Sequence, residues 1–114
     1  MPSDADEGVV RDIRRHIDLA ERFTHGHTFE SFQCDELYLY AVTRCLEVIS
    51  EASRRLSDDL KARHPGIAWK QMAGAGNIYR HDYQDVAALR IWEAVKLALS
   101  PSRAVIEQEL DARG

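Results

Sequence analysis

The densest polar cluster in the chain is Asn77-Ile-Tyr-Arg-His-Asp-Tyr83, which follows the glycine-rich stretch Ala73-Gly-Ala-Gly76-Asn77 and precedes a helical pattern. An imidazole with an ordinary pKa of about 6.5 exists in both protonation states near neutrality, so His81 can serve as a general base or acid. A reaction that suits it is transfer of the proton of a ribose 2′-hydroxyl, with return of a proton to the leaving oxygen. Attack of that hydroxyl on its own phosphate needs no metal. The plainer alternative makes His81 a helix N-terminal histidine bonded to a nearby loop and Asp82 a first-turn acid favoured by the helix dipole. Tyr83 is then a half-buried aromatic with its hydroxyl at the rim.

Other groups carry a weaker signal. Glu47 and Glu51 stand one turn apart with Arg44, Arg54 and Arg55 nearby, an arrangement that surface i,i+4 pairing explains. His25 and His27 flank Gly26, and no cysteine or further histidine has the spacing to complete a metal site. They read as loop histidines, and no metal or cofactor is expected. Cys34 and Cys45 fall in what reads as one helix, about 16 Å apart at ~1.5 Å per residue, too far to bridge. Free thiols fit a reducing cytoplasm. Trp69 and Trp92 read as core or dimer-interface anchors.

The elements that must position these groups emerge from composition and periodicity. A chain of 114 residues suits one domain, 1–114, and 45% hydrophobic with 30% charged residues is a folding composition. No run approaches the roughly 20 apolar residues that span a bilayer, and the N-terminus is acidic, unlike a secretory signal. The net charge of −4 argues against a non-specific nucleic-acid binder, yet the charge is uneven. Lys and Arg number 7 against 13 acids over 1–60, 5 against 2 over 61–90, and 3 against 4 over 91–114.

Val9, Val10, Ile13, Ile17, Ala20 and Phe23 recur at helical spacing and predict a helix from about Asp6 to Phe23. Gly26 then opens a loop, with Thr28 or Ser31 placed to cap the next helix. Leu37, Ala41, Cys45, Val48, Ala52, Leu56 and Leu60 predict the longest helix, from about Cys34 to Ala62, stopped by His64-Pro65-Gly66. A short piece from near Ile67 should bury Trp69 and Met72. A helix through Val86, Leu89, Trp92, Val95 and Leu99 comes next, and Ser100-Pro101 reads as the start of a terminal helix to about Ala112. The pattern favours an all-α fold, an antiparallel bundle of four to five helices.

Leu46-Glu-Val-Ile-Ser-Glu-Ala52, His64-Pro65, Ile67-Ala-Trp69, Met72-Ala-Gly74, Asn77 and His81-Asp-Tyr83, in that order and spacing, resemble the landmarks of the HEPN superfamily in its HepT-like branch. They span roughly a third of the chain. The resemblance implies a five-helix bundle that dimerises with paired motifs facing across a cleft and cleaves RNA without a metal. The branch's motif is an arginine, a polar residue, a histidine a few residues on, then any residue and a tyrosine. Asn77, His81 and Tyr83 match it, while Gly76 occupies the arginine position.

That departure removes a side chain that would steady the phosphate or the charge developing during cleavage. Arg80 is the nearby replacement, although consecutive helical residues point about 100° apart. The resemblance also makes Tyr83 the residue that a partner nucleotidyltransferase modifies with AMP, and places Glu51 near the cleft, where it would orient a motif residue. The preferred expectation is the toxin of a toxin-antitoxin pair, a homodimeric endoribonuclease silenced by a minimal nucleotidyltransferase antitoxin. The alternatives are a degenerate dimer that only binds the nucleotidyltransferase or RNA, and a helical scaffold that shares the fold alone.

Overall fold

The computed structural model describes residues 4–74 and 84–112, and every regular element among them is helical. Helix α1, Asp4–Thr24, turns Val10, Ile13, Ile17 and Ala20 inward, none more than 1% exposed. Gly26 reverses the chain with φ at 81°, a backbone region that glycine enters without steric cost. Thr28 then caps the short α2, Phe29–Gln33, through a reciprocal pair: its hydroxyl accepts from the Ser31 amide at 3.1 Å and its amide donates to the Ser31 hydroxyl at 3.0 Å. Helix α2 is not anticipated by the periodicity; it lowers Phe32 into the core, fully buried.

Helix α3, Glu36–Arg54, starts at the Asp35 cap and packs along α1. The two run antiparallel, since Asp6 near the start of α1 bonds Ser57 just beyond α3, while Phe23 near its end lies 6.3 Å from Tyr38. Two expectations are corrected here. Cys34 caps the end of α2, so the cysteines belong to different helices; both are free, Cys34 exposed and Cys45 buried. The buried face of α3 is Leu39, Val42, Cys45, Leu46, Ile49 and Ala52, whereas Leu37 is 73% exposed. The expected stripe shares Cys45 and Ala52 with this face, but Leu37 falls outside it and Ala41 and Val48 lie at its edge. The helix is apolar over more than one side, so periodicity alone centred the stripe too far round.

The long helix expected to reach Ala62 also breaks. Asp6, only 2% exposed, accepts from the Ser57 amide at 2.9 Å and from its hydroxyl at 2.6 Å. The same hydroxyl accepts from the Leu60 amide at 3.2 Å, which starts a new helix, α4, Asp58–Arg63. Leu56 and Leu60 stay buried across the break, which is why the apolar stripe concealed it. The stop at His64-Pro65-Gly66 is where the sequence put it, and helical residues 69–74 come after it as α5. Trp69 is half-buried there, its indole N–H donating to the carbonyls of Lys61 and His64 at 3.2 and 3.1 Å.

Helices α6, Gln84–Glu93, and α7, Leu99–Asp111, are joined by a π-helical turn, Ala94–Ala98, so that one rod replaces the separate terminal helix expected from Ser100-Pro101. The Leu99 amide donates to the carbonyl of Ala94, five residues back. A proline inside a regular helix clashes with the carbonyl four residues before it, and the wider π turn just ahead of Pro101 relieves that conflict. Arg103 ties α7 to α1 through Asp18 at 2.6 Å and Glu21 at 2.8 Å. At the far end Glu109, 5% exposed, takes a two-pronged bond from Arg63 at 2.7 and 3.3 Å and lies 2.6 Å from His64 Nε2.

Two of these contacts can be tested through stability. Asp6→Ala removes two charge-assisted bonds at a buried site and should cost about 2 to 3 kcal/mol, read from urea unfolding with an unchanged m-value. The bond from Arg63 above all, with help from His64 and against the cost of burial, holds the Glu109 carboxyl below the usual glutamate range. A carboxyl depressed in the folded state stabilises fully above its unfolded pKa and loses that contribution as pH falls through the folded one. The stability gap between the wild-type chain and Glu109→Gln should therefore be widest near neutrality and narrow in acid below the ordinary glutamate pKa.

Candidate functional site

The motif positions Gly76, Asn77, Arg80, His81 and Tyr83 lie outside the described residues. The structure does describe the frame on either side. Upstream, α5 ends its described course at Ala73 and Gly74, and downstream α6 begins at Gln84, directly after Tyr83. The upstream side is fastened to α3. Ser50, 3% exposed, donates its hydroxyl to the Ala73 carbonyl at 2.8 Å, and Arg54 donates to the same oxygen through Nη2 at 2.6 Å. Two donors occupy both lone pairs of one carbonyl, so the chain enters the motif from a backbone group fixed in two directions. Ser53 donates to the Ser50 carbonyl at 2.7 Å.

Sequence reasoning missed this clamp. Ser50 is visible in the sequence only as a member of a family landmark, and the Arg54 guanidinium reads there as a surface partner of a neighbouring glutamate. Instead Arg54 reaches Ala73, and Arg55 crosses to Asp12 of α1 at 3.8 Å. Glu51 is exposed, one turn after the half-buried Glu47, and makes no ion pair among the described residues. It lies on the outward side of α3 with Leu37, Tyr40, Ala41, Arg44 and Val48, all within about 60° of Leu37 around the helix at ~100° per residue. Leu37 and Tyr40 are 73% and 72% exposed on that side.

A cavity of about 270 Å³ opens between α3, the 66–72 segment and the π turn, walled by Leu46, Ile49, Met72, Ala94 and Leu99, with Ser50 and Gln71 as polar edges. It borders the Ala73 clamp through the shared Ser50. No group of three or more histidine, cysteine, aspartate or glutamate side chains among the described residues is arranged to hold a metal. His27 Nδ1 lies 2.9 Å from the Ser31 hydroxyl, and its ring lies 4.8 Å from that of Tyr38, so it braces the α2 cap. Burial pushes the Cys45 thiol up, away from the reactive thiolate. Trp69 and Trp92 both pack against the core.

Removing both clamp donors with Ser50→Ala and Arg54→Ala should free the Ala73 carbonyl at a cost of about 1 to 2 kcal/mol. Amide exchange across 69–74 should quicken by roughly 5- to 30-fold, while exchange in the α1 and α3 core keeps its rate.

Comparison with known proteins accords with this frame. Residues 13–109 match the family described as "Ribonuclease HepT-like". A protein of Thermococcus cleftensis named "Probable ribonuclease HepT" is 40% identical over 87 residues, covering 76% of this chain and 79% of its own. Two proteins of Methanocaldococcus jannaschii, each named "Putative RNase", are 32% identical over 108 residues; both alignments cover 95% of this chain, with 89% of one relative and 93% of the other. No solved structure matches. With the helical bundle, the landmarks and a family match over most of its length, the chain belongs to the HepT-like ribonuclease family.

Proposed function

We propose that the chain is a metal-independent endoribonuclease that works as a homodimer and forms the toxin half of a toxin-antitoxin pair with a minimal nucleotidyltransferase. The observation that carries this reading is membership of a ribonuclease family together with His81 and Tyr83 at the motif's histidine and tyrosine positions. In the proposed step His81 takes the proton of a ribose 2′-hydroxyl, and the 2′-oxygen forms a bond to its phosphorus. The bond from phosphorus to the 5′-oxygen breaks, and that oxygen leaves with a proton returned by an acid in the cleft. Asn77 orients the phosphate, and Arg80 supplies the charge that Gly76 lacks.

The dimer is supported by the outward side of α3, where Leu37 and Tyr40 are exposed in a chain whose core buries most of its large aliphatic residues. Glu51 on that side would stand near the shared cleft and steady a motif residue. Silencing would occur when the Tyr83 hydroxyl attacks the α-phosphorus of ATP on the nucleotidyltransferase, loses its proton and releases pyrophosphate. Gly76 favours a second reading, in which the dimer keeps its partner-binding surface but has lost the nuclease.

One set of measurements separates the two. The nuclease should cleave RNA in the presence of EDTA, and His81→Ala should abolish cleavage. Arg80→Ala should slow it by about 100-fold, the worth of roughly 3 kcal/mol of charge stabilisation, with Arg80→Lys restoring only part. Incubation with the nucleotidyltransferase, ATP and magnesium should add one or more AMP masses, and Tyr83→Phe should accept none. If the unmodified chain cleaves no RNA and Gly76→Arg does not change that, the binding module is the correct reading.

A further inference from the structure

The outward side of α1 carries a line of arginines that the motif does not use. Arg11, Arg15 and Arg22 fall at i, i+4 and i+11, within about 40° of one another around the helix and spread over ~16 Å of its axis. All three are exposed. Two shallow furrows run along this side, one lined by Arg11, Arg15 and Arg55, the other by Arg11, Arg14, Arg15 and Arg22. Because they share Arg11 and Arg15, they form one continuous track. Its other end is Arg55, whose neighbour Arg54 grips the Ala73 carbonyl three residues before Gly76.

The acids along the track are already occupied. Asp18 is held by Arg103 at 2.6 Å, and Asp12 faces His16 at 3.4 Å and Arg55 at 3.8 Å. Arg11 shares Glu7, and Arg14 lies 3.9 Å from Glu107. Arg15 and Arg22 make no ion pair among the described residues. The two furrows are thus lined by five arginines, Arg11, Arg14, Arg15, Arg22 and Arg55, against Asp12 and Asp18, and every cation in them is an arginine, whose planar fork suits phosphate oxygens.

We infer that the arginine track of α1 binds the sugar-phosphate backbone of a single-stranded RNA and leads it toward the motif. The inference rests on the ribonuclease reading for its choice of polyanion and goes beyond it in placing the docking surface. Contacts of this kind position a strand without reading its sequence, so the track should favour length over sequence.

The test uses the full wild-type chain and a labelled 2′-O-methyl RNA of about thirty nucleotides, which lacks the attacking hydroxyl, with binding followed by fluorescence anisotropy across a salt series. Replacing Arg15→Gln and Arg22→Gln together should reduce the slope of log affinity against log salt by about 1.4, since each single-strand phosphate contact contributes roughly 0.7. Affinity at low salt should fall at least about 10-fold. The unfolding midpoint should stay unchanged, because glutamine is a good helix former and neither arginine has an ion pair to lose among the described residues. Lys61→Gln with Lys96→Gln makes the same change in charge away from α1 and from the outward side of α3, and should have a smaller effect.

An unchanged slope in the α1 variant, or a loss no larger than that of the control pair, overturns the track. Loss of nucleotidyltransferase binding with RNA binding intact also overturns it and makes this side a protein interface. If the track fails while unmodified RNA is still cleaved, the ribonuclease reading stands alone. If the slope falls as expected but no RNA is cleaved, the track stands and the nuclease does not; a wild-type chain that binds no RNA removes both.

Discussion

Val10, Ile13, Ile17 and Ala20 of α1 share one core with Leu39, Val42, Leu46, Ile49 and Ala52 of α3, and among the described residues the two helices make the most extensive pairing. Each large aliphatic buried in this way contributes on the order of 1.5 to 3 kcal/mol, so the seam cannot rotate without surrendering several such contributions. Fixing it decides what remains available. On α1 the far side is left to Arg11, Arg15 and Arg22, with Asp18 among them, and on α3 it is left to Leu37, Tyr40 and Glu51. The last turns of α3 and the residues just beyond it are left to hold other segments, Ala73 against Ser50 and Arg54 and Asp6 against Ser57.

Those holds bear on a stretch that local propensity leaves unset. Gly74 and Gly76 frame the entry to the motif, and glycine loses more backbone freedom on folding than any other residue. The sequence at this point therefore has no strong conformational preference of its own to direct the chain. A carbonyl gripped by two side chains of a rigid helix can direct it, because the cost of fixing that group is offset by core packing elsewhere. The clamp is thus a consequence of the seam, transmitted through α3.

The features legible in the sequence were those with local causes. The α1 stripe, the cap at Thr28 and the stop at His64-Pro65-Gly66 depend on neighbours a few residues away, and the chain realises them. The end of α3 depends on Asp6, separated from Ser57 by 51 residues, and the clamp joins Ser50 to Ala73 across 23. No periodicity encodes such pairs. Pro101 failed for a different reason: the rule that proline starts helices is sound, but a π turn offers a second solution that spacing does not announce. On α3 the apolar residues outnumber one face, and only packing chooses between the faces.

The same division governs the candidate site. A motif read as a string locates His81, Asn77 and Tyr83 and registers Gly76 as a missing charge. It does not register Arg54, which stands earlier in the chain but is held three residues from that glycine by its bond to Ala73. With consecutive Cα atoms about 3.8 Å apart, Gly76 lies within roughly 11 Å of the Ala73 Cα whatever path the backbone takes. One hydrogen bond therefore fixes a positive charge at Ala73, three residues before Gly76, even without an arginine at position 76. What glycine removes is a guanidinium on the motif's own backbone, with a fixed direction, and direction is what a single charge-assisted hydrogen bond to a phosphate requires. Under the proposed nuclease reading, loss of geometry with retention of charge would weaken turnover more than binding, because binding tolerates a displaced cation and the transition state does not.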